Sequence, residues 1–343
     1  MKKRLTICLA AVLLTALLPG CVQEGSLPPE SEAPERSESV VLYAAMRENV
    51  LETLKKGFEE QYPEVELICY NAATNTVLSR IRAEAQSGQV AADVLWLGDD
   101  RDCEEFKELG ILRQDTSSKV NTAVDQRFRD PEGYYVAGRL AAMGIVVNND
   151  LIPASRRPKT WMGMVDPEWN GQIAVVDPGL SAAANYWACA MLTSENKDYG
   201  AYYARRLQRG GCHLESSFSS LLRKVQSGER AMGVCPDYLA EELIGEGAAI
   251  TFLYPSDIVA VGTPLALVKD SANMENGQLL YDYLLSQAGQ QLLADCGLVS
   301  VRNDVNQRAA PAAIASMAMD CDVKKLTEGR SKALAEFSEI LGG

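Results

Sequence analysis

From residue 40 onward, short apolar runs alternate with segments whose apolar residues recur every three or four positions, the grammar of strands set between amphipathic helices. Residues 40–45 predict a strand. In 48–62, Leu51, Leu54, Phe58 and Tyr62 fall at helical spacing, and Pro63 stops the run. The unit repeats at once, with a strand at 65–70, a helix at 76–86, a strand at 93–97 and a helix at 102–109 that Gly110 ends. The apolar run 141–147 carries the chain into a second body of the same grammar. There strands are predicted at 172–176, 231–235 and 250–254, and helices at 182–193, 199–208, 219–226 and 237–245. The run 258–269 is long enough to return the chain to the first body, and Leu279, Leu280, Tyr283 and Leu284 mark a helix that closes over it. This is an α/β pattern in two lobes. The first takes residues 40–138, the second 139–260, and 261–343 returns to the first and adds C-terminal helices. Two crossings between the lobes imply a hinge and an interlobe cleft.

The N-terminus follows a different pattern. Lys2, Lys3 and Arg4 precede an apolar run from Leu5 to Leu18, and Leu18-Pro19-Gly20 leads into Cys21. Residues 1–20 therefore read as an export signal, too short to span a bilayer. The segment resembles bacterial lipoprotein signals, which implies lipidation of Cys21, an anchor in the cell membrane and an extracytoplasmic location. Residues 21–39 are rich in Glu, Pro and Ser and poor in apolar residues, the composition of a disordered tether.

Removing residues 1–20 leaves 30 basic against 46 acidic residues, a balance of −16. A surplus this acidic argues against nucleic acid as a partner. The remaining body of about 300 residues exceeds what one core usually serves. Seven cysteines remain after Cys8 and Cys21, an odd number with no CxxC spacing, and several sit in apolar segments as buried thiols would. His213 is the single histidine. A His-based zinc site cannot be assembled from it, and any serine or cysteine hydrolase would have to rely on that one residue. No glycine-rich phosphate loop is present, and no cofactor or resident metal is expected.

Ligands of open α/β sheets bind where strands end and helices begin. Three such places carry hydroxyls: Thr74-Asn75-Thr76, Ser181 after Asp177-Pro178-Gly179, and Ser217-Phe218-Ser219. A helix N-terminus offers unpaired N–H groups and a positive dipole end, so a neighbouring Ser or Thr can help hold a phosphate, phosphonate or carboxylate. The same residue types are also the preferred helix caps. Asp237-Tyr238 opens a helix in the same way, and Tyr43, Trp96, Asp99 and Asp100 stand at strand ends of the first lobe. An aspartate facing the cleft would favour an ammonium or hydroxyl group. Trp96 reads as core.

The run from Thr160-Trp161 through Asp166-Pro167-Glu168-Trp169-Asn170-Gly171-Gln172-Ile173 to Asp177-Pro178 resembles the TW…L.DP.WKG.I…DP stretch of solute-binding proteins of bacterial ABC importers, in the group that includes ferric-iron, organophosphate and phosphonate binders. YAAMRENVLETLKKGFEEQYP, NTVLSRIRAEAQSGQVAADVLWLGD, KVQSGERAMGV and ALVKDSANMENGQLLYDYLLSQAGQQLLA match that group in order. The resemblance runs from about residue 40 to about residue 305. It implies the type II periplasmic-binding-protein fold, a monomer that closes on its solute, and delivery to an ABC-importer permease.

Iron-binding relatives carry two adjacent tyrosines where this chain has Asp237-Tyr238, so one phenolate is missing. The resemblance maps Thr74, Asn75, Ser217 and Ser219 onto anion-contacting positions of the phosphate-type relatives. The expected ligand set is Tyr43, Thr74, Asn75, Asp99, Asp177, Ser181, Ser217, Ser219, Asp237 and Tyr238. The expected solute is a small anion of organophosphate or phosphonate type, with ferric iron as the alternative. A carboxylate-based lipid-anchored hydrolase using Asp99, Asp100, Asp177 or Asp237, and an adhesion lipoprotein, are the competing classes.

Overall fold

The computed structural model describes residues 38–115, 123–193, 197–307, 314, 318–319 and 323–342. The export signal, Cys21, the tether up to residue 37, and Cys321 lie outside the described residues. Ser39, expected at the end of the tether, is the first residue of a strand.

The first lobe opens β1 (Ser39–Ala44), α1 (Glu48–Gln61), β2 (Glu66–Asn71), α2 (Thr74–Gln86), β3 (Val94–Trp96) and α3 (Asp100–Glu108), followed by the short β4 (Leu112–Arg113). In α1 the buried residues Val50, Leu51, Leu54 and Phe58 form the single stripe expected of a surface helix. The second lobe holds α4 (Trp161–Met164), β6 (Ile173–Val176), α5 (Ala182–Thr193), α6 (Lys197–Arg209), β7 (His213–Glu215), α7 (Phe218–Gln226), β8 (Met232–Pro236), α8 (Asp237–Gly245) and β9 (Ile250–Leu253). His213 is exposed on β7.

Two long strands join the lobes, β5 (Tyr135–Asn148) and β10 (Val259–Val268). Both are apolar at nearly every position because both faces are covered. The ten described strands belong to one sheet in the order β2-β1-β3-β10-β5-β8-β6-β7, with β4 also on β10 and β9 also on β5. The β1, β2 and β3 ladder is parallel, whereas β5 and β10 run antiparallel to each other.

Where the two strands cross, their register breaks between Thr263 and Pro264, and Gly138 is the extra residue opposite. A side chain at Gly138 would place its Cβ 2.7 Å from Leu265 Cδ1 and 2.9 Å from Trp96 Cζ2, so a larger residue fits only if Leu265 and the Trp96 ring shift. Gln290, fully buried, is saturated at this point. Its Nε2 donates to the carbonyls of Gly138 (2.7 Å) and Leu284 (2.8 Å), and its Oε1 accepts from Ser300 Oγ (2.7 Å) and Val301 N (3.1 Å). Trp96 Nε1 donates to Thr263 Oγ1 at 3.2 Å. Trp96 is core, as its residue type suggested, and it also braces the crossing.

The first lobe is completed by α9 (Met274–Leu285) and α10 (Gln287–Asp295), which pack Leu280, Leu284 and Leu293 against Leu42, Leu54 and Phe58. The last helix, α11 (Val323–Gly342), goes elsewhere. Its Leu326, Ala333 and Phe337 join the second-lobe core around Trp161, Trp187 and Tyr203. The segment 261–343 is thus shared between the two cores. Helix α5 is apolar nearly all round because α11 covers the face that solvent would otherwise wet.

Candidate functional site

Between the lobes lies a cavity of about 260 Å³ whose walls come from both. Thr74, Gly98, Asp99 and Asp102 supply the first-lobe side; Ser181, Tyr186, Phe218 and Tyr238 the second; Arg139 and Thr263 the crossing strands. Two adjoining hollows share Thr74 with it, so the cleft is continuous.

Of the ten expected ligand residues, four line this cavity: Thr74, Asp99, Ser181 and Tyr238. Thr74 is the first residue of α2, whose N-cap Ala73 has no side chain able to cap, so the amide end of the helix is open toward the cleft. Ser181 Oγ accepts from Ala184 N at 3.4 Å, a loose cap at the start of α5. Asn75 lines the adjoining hollow at the outer edge, beside Asp102. Asp99 caps α3, accepting from Arg101 N at 2.8 Å, and both its carboxylate oxygens are taken by the Arg101 guanidinium.

Five expectations are corrected by where the side chains go. Tyr43 is buried under α2. Its hydroxyl donates to Glu84 Oε1 at 2.8 Å, and its ring meets Tyr70 and Arg80. Strand alternation turns it to that face, and burial pushes its phenol up to about 12. Asp177 closes its own turn, accepting from Gly179 N at 2.8 Å, and is not on the cavity wall. Ser217 is a plain cap, accepting from Ser220 N at 3.2 Å on an exposed helix end, and Ser219 is also exposed. Only Phe218 between them reaches the cleft. Asp237 is buried behind the wall, where Oδ1 accepts from Tyr238 N (2.8 Å) and Ala142 N (3.2 Å) and ties α8 to β5.

Two cavity residues, Arg139 and Asp102, are absent from the expected set. Arg139 sits on β5 one residue beyond the glycine of the crossing and lines both the cavity and the hollow beside it. Its guanidinium carbon lies 5.3 Å from the Tyr238 ring centroid. Nη1 is buried without a hydrogen-bond partner, and the side chain forms no ion pair among the described residues. Burial pulls its pKa below the ordinary arginine value, yet a guanidinium stays charged in any protein setting. The sequence carries a signal for it, a lone arginine inside the 14-residue apolar strand YVAGRLAAMGIVVN. Asp102 follows Asp99 by one turn of α3 and faces the same cavity.

Two contacts bridge the lobes on either side of the cleft. Arg101 Nη1 donates to Asn185 Oδ1, and Arg47 Nη1 stands 3.6 Å from Glu242 Oε2. No group of three or more His, Cys, Asp or Glu residues that could hold a metal occurs among the described residues. Of the described cysteines, Cys103, Cys189 and Cys235 are buried, Cys69, Cys212 and Cys296 are partly so, and none of the six is in a disulfide.

A family model described as bacterial extracellular solute-binding protein matches residues 91–321. An uncharacterised protein of Haemophilus influenzae is 27% identical over 267 residues, covering 74% of each chain. Iron-bound HitA from Pseudomonas aeruginosa superposes with a TM-score of 0.73 at 18% identity, over 89% of this chain and 99% of that one. AfuA from Actinobacillus pleuropneumoniae, a periplasmic binding protein with fructose-6-phosphate bound, superposes with a TM-score of 0.67 at 20% identity, over 89% and 99%. The two structures share the two-lobed fold.

Proposed function

The chain belongs to the bacterial extracellular solute-binding proteins, the solute-capturing components of ABC importers, and we propose that its own solute is a small anion of organophosphate or phosphonate type. The observation that carries the reading is Arg139. A buried guanidinium nitrogen without a partner is costly, and an anion in the cleft relieves that cost with charge-assisted hydrogen bonds. The open amide end of α2, the loosely capped start of α5 and the hydroxyls of Thr74 and Ser181 line the same cavity and suit the remaining oxygens. Tyr238, held under the guanidinium, adds a hydroxyl. AfuA, whose structure contains a sugar phosphate, supports the class.

Ferric iron is the second reading, favoured by the likeness to HitA. It is ranked lower because the unpaired Arg139 charge stands over Tyr238, the one phenol at the position where iron binders carry two. Delivery to a permease and anchoring through a lipid on Cys21 complete the proposal. The anchor is tested by Cys21→Ala, which should move the protein from the membrane fraction to the soluble one.

Calorimetric titration of the mature protein with ethyl phosphate, glycerol phosphate, fructose 6-phosphate, methylphosphonate and ferric citrate tests the solute class. Phosphorylated or phosphonate solutes should bind, and Arg139→Met should weaken them about 10- to 100-fold. Binding of ferric citrate alone, or an Arg139→Met protein that binds phosphate esters as well as the parent, overturns it.

A further inference from the structure

We propose that the cleft is built for a zwitterion, a solute whose anionic group meets Arg139 and whose ammonium group meets Asp102. This rests on the anion reading above and extends it to the other end of the solute.

Three charged side chains line the cavity, and they are not equivalent. Asp99 is fully engaged by Arg101, so its charge is spent inside the protein. Among the described residues, Arg139 makes no hydrogen bond or ion pair, its Nη1 being buried without a partner, and Asp102 feels Arg101 and Arg82 only through space. Arg82, the nearest cation on the facing helix α2, is committed to Glu105 by two bonds of 2.6 Å. The cavity therefore presents one cation and one carboxyl that make no ion pair with each other; the buried Asp237 carboxyl behind the wall is felt by Arg139, and Arg101 and Arg82 by Asp102, but none of them bonds to either group. Either alone would be expensive to keep in a half-buried wall. A solute carrying both complementary charges satisfies both. The volume of about 260 Å³ corresponds to about nine waters of ~30 Å³ each, the scale of a compact molecule.

The electrostatics around Asp102 point the same way. Burial, then the Asp99 charge, push its carboxyl up to about 7, with Glu105 adding to the rise and Arg101 and Arg82 opposing it. A carboxyl so raised gains from a cation brought to it, because the cation restores the ionised form. An uncharged or purely anionic solute gives it nothing.

The probes are ethyl phosphate and O-phosphoethanolamine, which differ by one ammonium group, titrated calorimetrically into the mature protein. The expected result is at least about tenfold tighter binding of O-phosphoethanolamine. Asp102→Asn should erase that preference, bringing the two probes to within about twofold of each other. The preference in the parent protein should grow between pH 6 and pH 8. Equal affinity for the two probes overturns the zwitterion and leaves the anion reading standing, whereas binding of neither overturns both. The parent protein alone separates these outcomes, so a variant that fails to fold does not remove the test.

Discussion

Arg101 Nη1 donates to Asn185 Oδ1 at 2.8 Å, joining the first turn of α3 on one lobe to the first turn of α5 on the other. Arg101 is 5% exposed, and its guanidinium lies 5.2 Å from the Tyr186 ring centroid, so this bond is made largely out of water. It exists only while the lobes stand close. Asn185→Ala leaves Arg101 its bonds to Asp99 but removes the interlobe acceptor. Solute affinity should fall about tenfold, the worth of a hydrogen bond to a charged group, and small-angle scattering should show a larger radius without solute. Unchanged affinity and radius would show that the bond does not hold the lobes together.

The crossing of β5 and β10 depends on Gln290. Gln290→Leu keeps the volume but strands the carbonyls of Gly138 and Leu284 and the donors of Ser300 and Val301. Denaturant unfolding should show a loss of about 3 kcal/mol or more. A loss below about 0.5 kcal/mol would show that water or a shifted backbone takes over these bonds.

Asp237 makes stability depend on pH. Burial pushes its carboxyl up to about 6, against the opposing pull of two backbone N–H bonds and of Arg139. The folded state thus holds this proton more tightly than the unfolded chain, in which an aspartate titrates near 3.9. Stability contributed by the protonated form is complete below about pH 4 and is lost as pH rises through about 6. Asp237→Asn retains an acceptor oxygen without the charge. Its melting temperature should exceed that of the parent at pH 7.5 and converge with it at pH 4, a gap of about 3 kcal/mol at most.

Helix α11 should prove indispensable to the second lobe. Phe337 is fully buried, with its ring centroid 5.5 Å from that of Trp187 in an edge-on contact. Phe337→Ala should cost about 3–5 kcal/mol and alter Trp fluorescence in the folded state. A near-neutral effect would show that α11 is a dispensable appendage.

Most of the regular elements were legible because their periodicity is strong: 182–193 and 237–245 coincide with α5 and α8, and α1 differs from its predicted span by one residue. Short β4 and β7 carry too few residues to show a period, and the C-terminal helices were expected without bounds or a lobe to pack on, which for α11 is the second. The site was half legible. Thr74 and Ser181 reach the cleft, but Ser217 carries the same helix-start signal and merely caps α7. Local sequence specifies the cap and leaves open which way the helix end faces. Arg139 carries a different signal, a lone cation within an apolar strand rather than a polar residue at a loop or a helix start, and a search of helix starts passes it by.

Among the described strands, only β5 and β10 pass from lobe to lobe, and the irregularity they share lies next to Arg139. A group on the axis of a rotation travels less than groups out on the swinging halves. If the solute is the anion proposed above, the guanidinium is in place for it before the lobes close, whereas Ser181 and Asp102 arrive with them. On the reading proposed above, capture would begin at the fulcrum and spread outward, and a solute lacking the charge that suits Arg139 would be turned away before any large movement takes place.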